Sequence, residues 1–248
     1  MSKLNDKIAL VTGASKGIGA AIARRLAERG ATVAVNYTSD REGAERVVSD
    51  IEASGGAAVG IQADIRDAAS VRKMLGEVAK LGELDILVNN AGQYNMGPAA
   101  TFDEESYHRI FGTNVLGLLL VTREAIPTFR SSGGSIVNIS SSIVKSSNAM
   151  SPVYGASKAA VNYLTTTLAI ELTPKKIRVN AVLPGMIETE AARSSGIISQ
   201  EMVDFISART VAGRVGQPED VALAVAYLAS DDARWITGEL IGANGGCY

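Results

Sequence analysis

Cysteine is nearly absent from this chain. Its one cysteine, Cys247, cannot close an intrachain disulfide, and with a single histidine, His108, no Cys/His spacing for zinc exists. An excess of one charge is missing too. Lys and Arg number 24 against 26 Asp and Glu, a formal net charge of −2, which removes the electrostatic case for a nucleic-acid or anionic-membrane partner. The start, Met1 to Lys7, is polar and has no signal-peptide pattern, and no apolar run approaches the ~20 residues of a membrane span. A cytoplasmic location is the expectation. Nothing linker-like, repeated or of low complexity divides the 248 residues, so residues 1–248 read as one domain.

Glycine is abundant at 25, proline sparse at 6, and 46% of residues are apolar, enough for a full core joined by tight turns. Apolar runs predict strands at Ile8–Val11, Thr32–Tyr37, Ala58–Ala63, Leu84–Val88, Ser135–Ile139, Ile177–Leu183 and Glu239–Ala243. Helical spacing lies between them: Ile22 and Leu26 before Gly30, a helix after Ser39 to about Ala53, and Val71, Leu75 and Val78 behind Asp67. Ser39-Asp40-Arg41-Glu42 and Thr101-Phe102-Asp103-Glu104 have capping-box form, the second opening one long helix to about Ile126. Pro152 opens a helix to about Leu172 and Pro218 another to about Leu228, while residues 186–210 are polar, hold one helix and read as a lid. Alternation of this kind predicts an α/β domain, a doubly wound, parallel seven-stranded sheet of Rossmann type with helices on both faces.

Ligands of such sheets bind beyond the carboxyl ends of the strands, and the suggestive segments gather there. Gly13, Gly17 and Gly19, with Ser15, Lys16 and Ile18 among them, form a strand-to-helix turn through which backbone can approach a pyrophosphate. The plain alternative is a βα loop that merely needs glycine. An acid at the end of the second strand would bind a ribose 2′-hydroxyl; here stand Asn36, Tyr37, Thr38 and Ser39, with Asp40 read as a helix start and Lys16 within reach of a phosphate. That set favours NADP(H) over NAD(H). Asn89, Asn90, Ala91 and Gly92 end the fourth strand, where they pack against a ribose or adenine or simply turn the chain. Tyr154 and Lys158 share one helix face, and an ammonium one turn away lowers a phenol's pKa toward useful acid/base work. Of Ser140, Ser141 and Ser142, alternation lets only one or two face Tyr154. His108 reads as solvated or capping, and no metal-ligand cluster is apparent.

Taken in order, these motifs resemble the single-domain short-chain dehydrogenases/reductases from about Lys7 to Gly246: Thr12 to Gly19, Asn89 to Gly92, Asn114 with Gly117, Tyr154 with Lys158, and Pro184-Gly185 with Thr189. The resemblance implies roles. Tyr154 exchanges the hydroxyl proton, Lys158 lowers its pKa and binds the nicotinamide ribose, and Ser141, thirteen residues before Tyr154, orients the substrate oxygen. Asn114 holds a relay water, Asp64 contacts adenine with Ile65 beside it, and Ile187 and Thr189 hold the carboxamide beyond Pro184 and Gly185. Within the family the pattern is most similar to 3-oxoacyl-thioester (acyl-carrier-protein) reductases and relatives acting on sugars or xenobiotic ketones. The implied activity is hydride transfer between NADP(H) and a ketone or secondary alcohol, in a homotetramer or else a homodimer. A glucose-type sugar dehydrogenase, an epimerase or dehydratase, and a non-catalytic NADP(H)-sensing regulator are the alternatives. Asn244, where many relatives have Asp, touches C-terminal packing. The substrate pocket is expected from Gln93 to Pro98, 142–151 and the lid.

Overall fold

The computed structural model describes residues 3–145, 150–190 and 199–246. Its elements are β1 (Ile8–Val11), α1 (Gly17–Glu28), β2 (Thr32–Tyr37), α2 (Arg41–Ala53), β3 (Ala57–Gln62), α3 (Ala68–Ala79), β4 (Ile86–Asn89), α4 (Glu104–Phe111), α5 (Leu118–Ala125), β5 (Gly134–Ile139), α6 (Pro152–Glu171), β6 (Ile177–Pro184), α7 (Gln200–Arg209), α8 (Pro218–Ala229) and β7 (Leu240–Ala243). The seven strands run parallel in one sheet, as the sequence predicts, and the structure gives their order as β3-β2-β1-β4-β5-β6-β7. Strand order reverses between β1 and β4, and the crevice there is where such sheets bind ligands.

Continuous apolar strands arise because both sheet faces are covered. On one face Ile22 and Leu26 of α1, Val47 and Ile51 of α2 and Val221, Val225 and Leu228 of α8 close over the sheet. On the other, Val71, Met74 and Leu75 of α3, Leu118 and Val121 of α5, and Val161 and Leu168 of α6 do the same. Asp85, just before β4, is buried at the opposite, amino-terminal edge; it accepts from Lys7 Nζ at 3.1 Å, Ile8 N at 2.9 Å and Arg130 Nε at 3.1 Å, tying β1 and β4 to the turn before β5.

Three expectations change. Asp40, not Ser39, caps α2, accepting Gly43 N–H at 3.0 Å, and Asp103 rather than Thr101 caps α4, accepting Ser106 N–H at 2.7 Å. In each case a carboxylate three residues before a free N–H takes the cap from the hydroxyl. The long helix is not uniform: Gly112–Gly117 is a π-helical turn between α4 and α5. The helical stretch Glu104–Thr128 is 25 residues long and reaches a membrane span's length and mean hydropathy, though it holds no uninterrupted apolar run of that length. Its inner side, Ile110, Leu118, Val121 and Ala125, is buried in the protein core. Part of the expected lid, 191–198, and part of the expected pocket, 146–149, lie outside the described residues, as does Cys247.

Candidate active site

The ends of β1 and β4 are stitched together by short polar side chains. Thr12 Oγ1 donates to the Val88 carbonyl at 3.3 Å and accepts the N–H of Asn90 at 3.0 Å and of Ala91 at 3.1 Å. Asn90 Nδ2 donates to the Thr12 and Gly13 carbonyls, both at 2.9 Å. Asn90 therefore holds the glycine turn, with its amide hydrogens committed there and not to a ribose or adenine. Gly13 has φ +61°, and a β-carbon on it would lie 2.9 Å from Ala91 Cα; one on Gly19 would strike the Gly13 carbonyl and the Asn90 amide. The turn thus requires glycine and leaves its backbone bare. Lys16 caps α1 in extended conformation, and no acid occupies the first turn, so the positive end of the helix is uncompensated. From the far side, the Thr189 methyl lies 3.4 Å from where a β-carbon on Gly17 would stand, bringing the segment after β6 against the same turn. In that segment Gly185 is packed on Asn244, and Ile187 bridges to Gly216 with its side chain buried.

The end of β2 behaves differently from expectation. Asn36 is buried: its Oδ1 accepts Gly13 N–H at 3.2 Å and its Nδ2 donates to the Ile61 and Ala63 carbonyls at 3.3 and 3.2 Å. It braces the sheet and loop, and Tyr37 is buried beside it; only Thr38 and Ser39 reach the surface. Asp40 does more than cap. Its Oδ2 lies 3.5 Å from Lys16 Nζ, and Ser15 also bonds it. Burial opposes ionisation, but the Gly43 N–H, Lys16 and Ser15 together hold the carboxyl below its ordinary range. Asp64 is gripped by Arg66, with Nε at 3.0 Å and Nη2 at 2.7 Å, and Ile65 is buried against Gly117 in the π turn, so its side chain faces the core and not an adenine crevice.

The reacting groups meet at the start of α6. The Tyr154 hydroxyl hydrogen-bonds Ser141, while Ser140 turns the other way and donates to the Lys158 carbonyl at 3.2 Å, the alternation expected of adjacent strand-end residues. Lys158 Nζ is buried, lies 5.9 Å from the Tyr154 ring centre and donates to the Ile139 carbonyl at 2.8 Å. The expected net lowering of the phenol's pKa is corrected: desolvation is the largest influence and raises it, the Ser141 bond opposing and Tyr94 adding to the rise. Burial also brings the Lys158 ammonium from 10.5 down to about 8.

Asn114 sits in the π turn, the kind of local distortion that re-aims a side chain at a site. Its Oδ1 accepts Gln93 N–H at 2.7 Å, and its Nδ2 donates to the Gln93 carbonyl at 2.8 Å and to Ser157 Oγ at 3.0 Å. Ser157 in turn donates to the Tyr154 carbonyl at 2.7 Å. With both amide hydrogens spent, the Asn114 side chain positions its neighbours and does not donate to a relay water. A β-carbon on Gly92 would stand 3.5 Å from Asn114 Oδ1 and 3.6 Å from Lys158 Nζ, which puts that segment beside both. Sequence reasoning missed Thr12 and Ser157 as fasteners, because small hydroxyl side chains carried no spacing signal, whereas Tyr94, in the expected 93–98 pocket segment, stands beside Tyr154 with ring centres 6.3 Å apart. Among the described residues no group of His, Cys, Asp and Glu is arranged to hold a metal.

Comparison with known proteins bears on the family and the fold. The family model described as enoyl-(acyl carrier protein) reductase matches residues 13–248. An uncharacterized oxidoreductase of Methylorubrum extorquens is 51% identical over 99% of both chains. The 3-oxoacyl-[acyl-carrier-protein] reductase FabG of Staphylococcus aureus is 41% identical over 98% of both. Among solved structures, a short-chain dehydrogenase/reductase of Serratia marcescens superposes with TM-score 0.92 at 36% identity over 98% of both chains. The angucycline C-6 ketoreductase LanV with bound NADP does so with TM-score 0.92 at 35% identity, covering 99% of this chain and 96% of that one.

Proposed function

The chain belongs to the short-chain dehydrogenase/reductases, and from that premise we propose that it is an NADP(H)-dependent carbonyl reductase. It interconverts a ketone and a secondary alcohol, with Tyr154 as proton donor. One observation carries this reading: a half-buried phenol, bonded to Ser141 and set above the buried Lys158 ammonium, lies at the same carboxyl edge of the sheet as the glycine turn.

The residues fit a dinucleotide. Gly13, Ser15, Ile18 and Gly19 supply the close-approach turn and helix start, Lys16 with Thr38 and Ser39 the environment of a 2′-phosphate, and Ala91, Gly92, Pro184, Gly185, Ile187 and Thr189 the walls toward the nicotinamide. Asn36, Tyr37, Asp64, Ile65 and Asn90 shape those walls from behind. When bound, the nicotinamide supplies the hydride. The chain's own part is the proton. A phenol is protonated at neutral pH, and desolvation moves Tyr154 further in that direction, so its hydroxyl carries the proton for a carbonyl oxygen held by Ser141. Lys158, charged below about pH 8, stabilises the phenolate left behind. Asn114 acts through Ser157 and the Gln93 backbone as a positioning residue. NADP(H) is preferred over NAD(H) because Lys16 lies at the turn and no acid ends β2, a preference that accords with the NADP bound by LanV.

Self-association is part of the proposal: Tyr163 and Ile170 on α6 are 73% and 78% exposed, large apolar side chains that a second copy would cover. A cytoplasmic setting is part of the same proposal, and a chain with one cysteine needs no oxidising compartment to fold. The test is Tyr154→Phe assayed by NADPH absorbance with a ketone. Turnover is expected to fall at least ~100-fold, the usual worth of a general acid, while NADPH affinity stays within about threefold. A variant that keeps near-normal turnover refutes the assignment.

A further inference from the structure

Tyr94 is the group at this site whose presence the hydride chemistry does not require. It stands in the irregular segment after β4, and its ring lies 6.3 Å from the Tyr154 ring at an interplanar angle of 68°, edge to face. Its side chain is 43% exposed, so it lines the open side of the site and not the core. The segment that carries it is held at several points. Gln93, immediately before, has both backbone groups bonded to Asn114, at 2.7 and 2.8 Å. Asn95 Nδ2 donates to Ser106 Oγ at 3.3 Å, and Gly97 N–H donates to the Met150 carbonyl at 2.7 Å. The last bond brings Met96 and Met150, both exposed, to the same rim. The ring's place is thus set by the residue that also positions Tyr154 through Ser157.

We propose that Tyr94 is a substrate-contact residue: its fixed ring forms one wall of a slot floored by the Tyr154 hydroxyl, and with the thioethers of Met96 and Met150 it selects planar, conjugated cyclic ketones over flexible acyl-chain ketones. This rests on Tyr154 being the proton donor. A rigid aromatic wall gains contact with a flat ring at little entropic cost, and aromatic pairs contribute beyond simple area burial. Methionine sulfur packs favourably on ring edges and adapts to their outline. An acyl chain meets the same wall with rotors to freeze, so it gains less.

The experiment measures kcat/KM of the full chain for 1-tetralone, an aryl-conjugated cyclic ketone, and for an acetoacetyl thioester, by NADPH consumption, in the parent chain, Tyr94→Phe and Tyr94→Leu. NADPH affinity is followed by nicotinamide fluorescence. The readout is the ratio of the two kcat/KM values. Tyr94→Leu is expected to lower the tetralone-to-thioester ratio about fivefold, mainly through KM, while Tyr94→Phe, which keeps the wall, retains most of it; a fivefold change lies within the range measured for aromatic pairing. An unchanged ratio in Tyr94→Leu overturns the proposal, as does an equal loss on both substrates, which would make Tyr94 a general scaffold. A parent chain that binds NADPH yet reduces neither probe overturns the underlying assignment, and is told apart because it shows before any variant is compared.

Discussion

Lys158 offers a test in which stability and activity move in opposite directions. Its ammonium is buried, and its pKa falls from 10.5 to about 8 through desolvation. At about 1.36 kcal/mol per pKa unit, that drop represents about 3 kcal/mol by which burial disfavours the charged form. Replacing it in Lys158→Met removes the charge and keeps an unbranched side chain of similar length. The variant also loses the bond to the Ile139 carbonyl at 2.8 Å, and an orphaned carbonyl costs about 1 kcal/mol. The net expectation at pH 7 is a stabilisation of about 2 kcal/mol, read as a Tm higher by about 4–8 °C for a chain this size, while ketone reduction is lost. The pH dependence follows from the direction of the shift. Below pH 8 the lysine is charged in both folded and unfolded chains, and the folded state bears the whole penalty. Between about 8 and 10.5 the folded chain gives up its proton first, so the unfolded chain holds more protons and wild-type stability rises with pH. The Tm advantage of Lys158→Met should therefore be largest at pH 7 and shrink toward zero near pH 10. Differential scanning fluorimetry of both proteins across that range measures the difference directly, and contributions from other titrating groups cancel. A variant less stable than wild type at pH 7, with a gap indifferent to pH, would refute the claim that Lys158 is held against its solvation preference.

The remaining predictions concern the opposite edge of the sheet and the cofactor turn. Asp85→Asn leaves Lys7 and Arg130 facing an uncharged group and weakens the acceptor for the buried Ile8 N–H; a loss of about 3 kcal/mol is expected, the low end for a broken buried pair because both cations are partly exposed. Thermal melts should show it, and kcat/KM at 25 °C should not change, since Asp85 lies at the amino end of the strands. Asp40→Asn keeps the helix cap but frees Lys16 from its carboxylate at 3.5 Å. NADPH affinity should tighten about three- to fivefold, a modest gain because the pair is partly solvated, with NADH within twofold in the same fluorescence titration, and Lys16→Ala should do the reverse. Equal effects on both nucleotides would remove the argument for the 2′-phosphate.

The strand ends were legible because each buried parallel strand is a short apolar run that stops where polar residues begin, and binding crevices lie at those stops. The duties of the polar residues were not legible, because partners distant in sequence set them. Asn36 looked like a ligand residue by position, yet Gly13, Ile61 and Ala63 claim its side chain. Asn90 is claimed by Thr12 and Gly13, and Ile65 by Gly117. Ser39 satisfied a capping pattern, but the Gly43 N–H falls on the carboxylate of the next residue. The Tyr154 and Lys158 pair shows the limit most clearly. Four-residue spacing gives their shared helix face, but the sign of each pKa shift depends on how much water each group loses, and spacing carries no information about burial. With the ammonium directed at the Ile139 carbonyl and 5.9 Å from the ring centre, desolvation is the leading influence on both, and each group is pushed toward its neutral form. A phenol whose pKa is raised in this way holds its proton more tightly than a free phenol, so releasing it to a carbonyl oxygen falls to the neighbouring Lys158 ammonium, which is placed to stabilise the phenolate.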